Sequence, residues 1–174
     1  SSSQESLLLW LSLFIVLAAL IKSAQFPFSS WLPRAMEGPS SSSSIFYGSL
    51  AVHLGIFLLL RTFPLWSHDY FIRGLLVAVG LISAISGTLI SRVQSGVKSQ
   101  LAYSTVVQIG FMLMELGFGL NGFVLFHVVG HSFLRAYQFL VSPSVLSYLS
   151  HHMIFHFKPR VKVLRSNFLE RIHS

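Results

Sequence analysis

Lys22 closes the run Leu7 to Ile21, which is apolar throughout except for Ser12. A charged side chain inside a bilayer costs from roughly 2.5 kcal/mol to several times that, so an ionisable residue in such a place marks a site of ion or proton handling. The same reasoning singles out residues later in the chain. His127, His131 and Arg135 recur every four residues and therefore share one helical face. Histidine has an unperturbed pKa of about 6.5 and exchanges protons at physiological pH. A guanidinium keeps its proton, so Arg135 reads as a fixed charge or a gate. Two histidines at this spacing can also bind zinc, but the third ligand and the HExxH glutamate are both lacking, so no metal site is expected. His53 lies at the middle of another apolar run, where a relay role and a hydrogen bond to a neighbouring helix are equally open readings.

Glu115 interrupts the apolar stretch GFMLMELGFGL. A buried carboxylate needs a partner. A tight turn at Gly119 to Gly122 between antiparallel helices would set Glu115 level with Phe126 and His127, about 8 to 10 Å from the turn at 1.5 Å rise per residue. Glu115 and His127 are therefore expected to meet directly or through one water, as a proton entry or exit point. The competing reading has Glu115 facing another helix or subunit and never reaching His127.

The elements that must position these groups are membrane helices. Apolar residues make up 53% of the 174 and charged residues only 10%, with a mean hydropathy of +0.69, which excludes an ordinary soluble domain. Apolar runs at Leu7 to Ile21, Ile45 to Leu60, Gly74 to Ile90, Leu101 to Leu120 and Gly122 to about Leu149 predict an all-α, polytopic transmembrane bundle of about five segments. The runs lack the alternation of a membrane barrel. Pro27 and Pro33 follow Lys22 closely, and each removes a backbone donor, so a broken helix is expected there. Gly74 to Ile90 holds no ionisable group and carries Gly80, Ser83, Ala84 and Gly87, which suit close helix packing. The stretch Arg61 to Arg73, with Pro64, Trp66 and Tyr70, reads as an interfacial loop with aromatic anchors. Residues 1–150 form the membrane part and 151–174 a basic surface tail held near anionic headgroups.

The chain has no cysteine, which excludes disulfides, thiol chemistry and iron–sulfur ligation within it. Its formal charge of +7 is explained by topology rather than by nucleic acid. With alternating segments, one side receives Arg34, Arg92, Lys98, Lys158, Arg160, Lys162, Arg165 and Arg171, the other only Arg61 and Arg73. The positive-inside rule then puts the Arg34 loop and the tail on the cytoplasmic or matrix side. Ser1 to Ser6 has no basic n-region, which disfavours a signal peptide.

The stretch KSAQFPFSSWLPRAMEGP (Lys22 to Pro39) resembles the lysine-bearing broken helix of the antiporter-like membrane subunits of respiratory complex I, of the subunit 5 type, and of multi-subunit cation/proton antiporters. The likeness continues through FLLLRT (Phe57 to Thr62), VKSQLAYSTVVQIGFM (Val97 to Met112) and LFHVVGHSFLRAYQFL (Leu125 to Leu140). It starts in what would be the middle of a longer family member, so a partial chain is expected, without the helix whose glutamate would pair with Lys22. The resemblance implies a proton-translocating subunit of an NADH:quinone oxidoreductase-like complex in a bacterial or mitochondrial inner membrane, with a line of buried charges to which this chain gives Lys22, Lys98, His127, His131, Glu115 and His53. By position alone Lys98 is a snorkelling interfacial lysine; the matched motif adds it to the line. Tyr47 stands where the family has a histidine or lysine, which leaves that link in doubt. The serines at Ser40 to Ser44 fall at a family turn and could cap the following helix. No cofactor belongs to this chain, and NADH and quinone are handled by partner subunits. A cation/proton antiporter or energy-coupled inorganic-carbon uptake complex shares the fold and is the alternative; a membrane scaffold without transport is the second.

Overall fold

The computed structural model describes residues 2–36 and 43–156, apart from the side chains of residues 2, 3, 5, 44–46 and 143–156. Six α-helices follow in order: α1 (Ser2–Lys22), α2 (Trp31–Ala35), α3 (His53–Trp66), α4 (Tyr70–Val93), α5 (Val97–Phe118) and α6 (Asn121–His156), with a π-helix over Ser43–Leu50 leading into α3. The described residues hold no strand. Contacts divide the chain into one unit at Ser1–Pro143 and another at Ser144–Ser174. The basic residues of the tail from Lys158 onward, and Gly38 to Ser42 of the expected turn, lie outside the described residues.

Among the described residues three stretches are long and apolar enough to cross a membrane, Tyr47–Trp66, Tyr70–Val93 and Val97–Phe118, and Ser6–Lys22 is a shorter apolar helix. The protein is an integral membrane helix bundle. Its packing follows the logic of lipid rather than water. On α4, Gly80, Ser83, Ala84 and Gly87 are buried while Leu81, Ile85 and Leu89 are exposed, because small residues let backbones approach and large ones meet acyl chains. The approach is close: a Cβ added to Gly80 would stand 2.5 Å from the Gly110 carbonyl of α5, and one added to Gly110 would stand 2.7 Å from the Gly80 carbonyl.

Short connections join α3 to α6. Asp69 caps α4, its Oδ1 accepting from the amides of Phe71 at 2.9 Å and Ile72 at 3.4 Å. Helix α5 ends on Gly119, whose φ of 84° is the left-handed conformation that glycine tolerates. There the Gly119 amide donates to the Leu116 carbonyl and that of Leu120 to the Glu115 carbonyl, both at 2.9 Å, a Schellman ending.

Two expectations are corrected. Arg61 to Arg73 is not one loop, since α3 continues through Pro64 to Trp66 and only Ser67 to Asp69 separates it from α4. Trp66 is fully buried instead of lying at an interface; its ring meets Phe63 edge-on at 4.9 Å and its indole donates to Thr62 Oγ1 at 3.3 Å, so the α3 terminus folds over its own aromatics. The Ser43 hydroxyl, in the first turn of the π-helix, donates to the Met36 carbonyl at 3.2 Å, and the preceding serines expected to cap that helix lie outside the described residues.

Candidate functional site

Helix α1 ends at Lys22, where the sequence predicts the break. Several groups hold the interruption in place. Ala24 has a φ of 54°. The Trp31 indole donates to the Ile21 carbonyl at 3.1 Å, beside the Ala24 amide that donates to the same oxygen at 3.2 Å. Gln25 is fully buried, and its amide nitrogen donates to the carbonyls of Ser23 at 3.1 Å and Val106 at 3.4 Å. The Phe26 amide donates to Ser83 Oγ at 3.0 Å. Ser83 thus joins α4 to the break, a role beyond the packing that its small size predicts. Lys22 itself is exposed, and among the described residues no hydrogen bond or ion pair joins it to the histidines.

Across the α5–α6 turn, His127 Nδ1 lies 2.9 Å from Glu115 Oε1. The expected meeting of these two residues is direct, with both side chains partly open at 26% and 27% exposure. The other imidazole nitrogen, Nε2, lies 3.2 Å from Gln108 Oε1. Gln108 was not singled out in the sequence. A neutral amide makes little mark on hydropathy, and the only signal for it is the four-residue spacing of Gln100, Ser104 and Gln108 along α5.

One turn further along α6, His131 joins a second group. Its Nδ1 lies 2.9 Å from His53 Nε2 of α3, and Arg135 Nε donates to its Nε2 at 3.0 Å. Arg135 also donates from a terminal nitrogen to Gln138 Oε1 at 2.7 Å. His53, His131 and Arg135 are buried, at 3%, 6% and 6% exposure. The contact gives His53 the hydrogen bond to a neighbouring helix, and its partner there is itself a titratable ring. Tyr47 lies in the π-helix, half-buried against the apolar core.

The two groups border one cavity of about 850 Å³ between α5 and α6, lined on one wall by Gln100, Ser104, Gln108 and Glu115 and on the other by His127, His131, Arg135 and Gln138. Lys98, half-buried in the first turn of α5, lies outside that lining. Polar side chains on facing helices at bonding distance can pass protons by exchange along hydrogen bonds, with water completing gaps. Among the described residues no three His, Asp or Glu side chains converge as a metal site.

The family described as NADH:quinone oxidoreductase/Mrp antiporter, TM, matches residues 1–158. A probable inorganic carbon transporter subunit DabB2 of Halothiobacillus neapolitanus is 45% identical over 135 residues, 78% of this chain and 24% of the relative. Chloroplastic NAD(P)H-quinone oxidoreductase subunit 5 is 43% identical in Poa pratensis over 143 residues, 82% of this chain and 20% of the relative, and 42% identical in Marchantia polymorpha over 135 residues, 78% and 20%. The chain therefore spans about a fifth to a quarter of the length of these relatives.

Proposed function

This chain belongs to the NADH:quinone oxidoreductase/Mrp antiporter family of transmembrane proteins, and from that membership we propose that it serves in a proton-translocating membrane subunit of an NADH:quinone oxidoreductase-like complex. The observation that carries the reading is the pair of hydrogen-bonded groups, Glu115–His127–Gln108 and Arg135–His131–His53, meeting at one cavity. Titratable groups are costly in a membrane and are retained for function. In this reading Glu115 and His127 receive or release protons at one membrane face, His131 and His53 carry them inward, and Lys22 and Lys98 supply charges to the same line. Arg135 stays protonated throughout. The chain itself holds no cofactor; partner membrane subunits complete the path, and other subunits handle NADH and quinone. The Arg34 loop and the tail face the cytoplasm or matrix.

The second reading keeps proton movement and changes its partner. Similarity to the inorganic carbon transporter subunit favours coupling to inorganic-carbon uptake, and a cation/proton antiporter fits the same family. A scaffold without transport is the remaining alternative. The test is quinone-driven proton uptake in native membrane vesicles, comparing wild type with His127→Ala and His131→Ala. Loss of coupled uptake with normal assembly is expected, more severe at the more buried His131. Unchanged uptake in both variants would reject the transport reading. Uptake that depends on inorganic carbon rather than quinone would favour the second reading.

A further inference from the structure

Both ring nitrogens of His131 are occupied, Nε2 by Arg135 Nε at 3.0 Å and Nδ1 by His53 Nε2 at 2.9 Å. Arg135 is always a donor, because a guanidinium does not deprotonate in proteins. His131 Nε2 must therefore present its lone pair, and the neutral ring carries its proton on Nδ1. That proton is donated to His53 Nε2, which has to accept, so the neutral His53 ring carries its own proton on Nδ1. The Ser49 backbone carbonyl faces the His53 ring, although Nδ1 makes no regular hydrogen bond. The polarity of the chain is set from one end, by the member that cannot titrate.

His127 stands apart from this chain. Its ring is edge-on to that of His131 with centroids 6.2 Å apart, and its own nitrogens face Glu115 and Gln108. A proton on His127 therefore finds no vacant acceptor on His131.

We propose that Arg135 is a positioning residue that locks His131 in its Nδ1–H tautomer and closes it to proton transfer from the His127 side. Transfer requires Arg135 to leave Nε2. The structure offers it a path, since one guanidinium nitrogen is already held by Gln138 Oε1 at 2.7 Å and Gln100 and Ser104 line the cavity that Arg135 borders. Once Nε2 is vacant, it takes a proton from the cavity while the Nδ1 proton passes to His53 Nε2. His131 is left neutral in the opposite tautomer, and His53 holds the extra proton on a doubly protonated ring. A lysine would be a poorer lock, because its ammonium rotates and has no planar donor fixed beside the ring.

The consequence for transport rests on the proton-translocation reading above, whereas the tautomer does not. The experiment is ¹⁵N solid-state NMR of the histidine-labelled protein in its native membrane complex, with His131 signals assigned by their loss in His131→Gln. Wild-type His131 is expected to carry its proton on Nδ1 with at least about tenfold preference, the size of effect that a hydrogen bond to a charged group produces. Arg135→Met is expected to move that proton to Nε2 and to raise the proton leak of resting vesicles. Protonated Nε2 in wild type overturns the lock without Arg135→Met having to fold. An unchanged tautomer in Arg135→Met overturns it equally. Wild-type Nδ1–H combined with unchanged uptake in both His127→Ala and His131→Ala would reject the transport reading and leave the tautomer lock standing.

Discussion

Glu115 Oε1 and His127 Nδ1 stand 2.9 Å apart on helices joined through the left-handed Gly119. The contact follows from turn geometry. A short link brings the nearby turns of the two helices it joins together, so a carboxylate four residues before Gly119 meets an imidazole eight residues after it. Gln108 completes the imidazole's environment from a full two turns back along α5.

Glu115→Gln separates charge from shape, because the amide keeps an acceptor toward His127 and removes the exchangeable proton. Proton-coupled activity is expected to fall by about an order of magnitude, the equivalent of about 1.4 kcal/mol. Stability should change by less than about 1 kcal/mol, since the pair is partly open to its surroundings. Coupled proton uptake and thermal unfolding in detergent, measured on the same preparation, check both halves.

How much of this was legible in the sequence depended on whether a residue disturbed a pattern. Lys22 and Glu115 each break an apolar run, and the break at one and the turn contact at the other are where the pattern puts them. The small residues of α4 likewise announce its packing face. Gln25 and Gln108 were missed because a neutral amide leaves a helix hydropathy profile almost unchanged, and their partners at Val106 and His127 are 81 and 19 residues distant. Trp66 was misread for a related reason. An aromatic near a helix end has the same local pattern whether it anchors at an interface or folds inward, and only the approach of the neighbouring helices decides.

The contact between α4 and α5 should be intolerant of even one methyl group. Gly110→Ala sets a Cβ 2.7 Å from the Gly80 carbonyl and 3.1 Å from the Ala84 amide nitrogen, both backbone atoms that cannot rotate away. A loss of about 1 to 3 kcal/mol is expected, the cost of overpacking a close interface. Gly122→Ala is the control, with nothing within 4 Å of the added carbon, and should be neutral or slightly stabilising through helix propensity. Equal unfolding midpoints for the two variants would contradict the close approach.

Asp69→Ala removes the side chain that accepts from the first amides of α4. The expected cost is about 1 kcal/mol. Asp69→Asn, which keeps the accepting oxygen, should restore most of it. Hydrogen exchange at Phe71 and Ile72 should rise in the alanine variant alone.

Lys22→Ala tests whether the charge at the break is structural. The interruption is held by Gln25 to Val106, by Phe26 to Ser83 and by Trp31 to Ile21, none of which involves the lysine side chain, and Lys22 is itself exposed. Removing it should therefore alter stability by no more than about 0.5 kcal/mol, as for other substitutions away from packed or paired sites. Gln25→Leu should do the reverse: it leaves the Val106 carbonyl without this donor, and the loss of a buried hydrogen bond should destabilise the break by about 1 to 3 kcal/mol. Membrane insertion and assembly of Lys22→Ala are expected to match wild type while proton pumping in the full-length protein is abolished. With the fold shown intact by unfolding and assembly assays, that loss can be assigned to the missing charge. Wild-type pumping in Lys22→Ala would remove the lysine from the proton line and leave the two histidine groups to carry it alone.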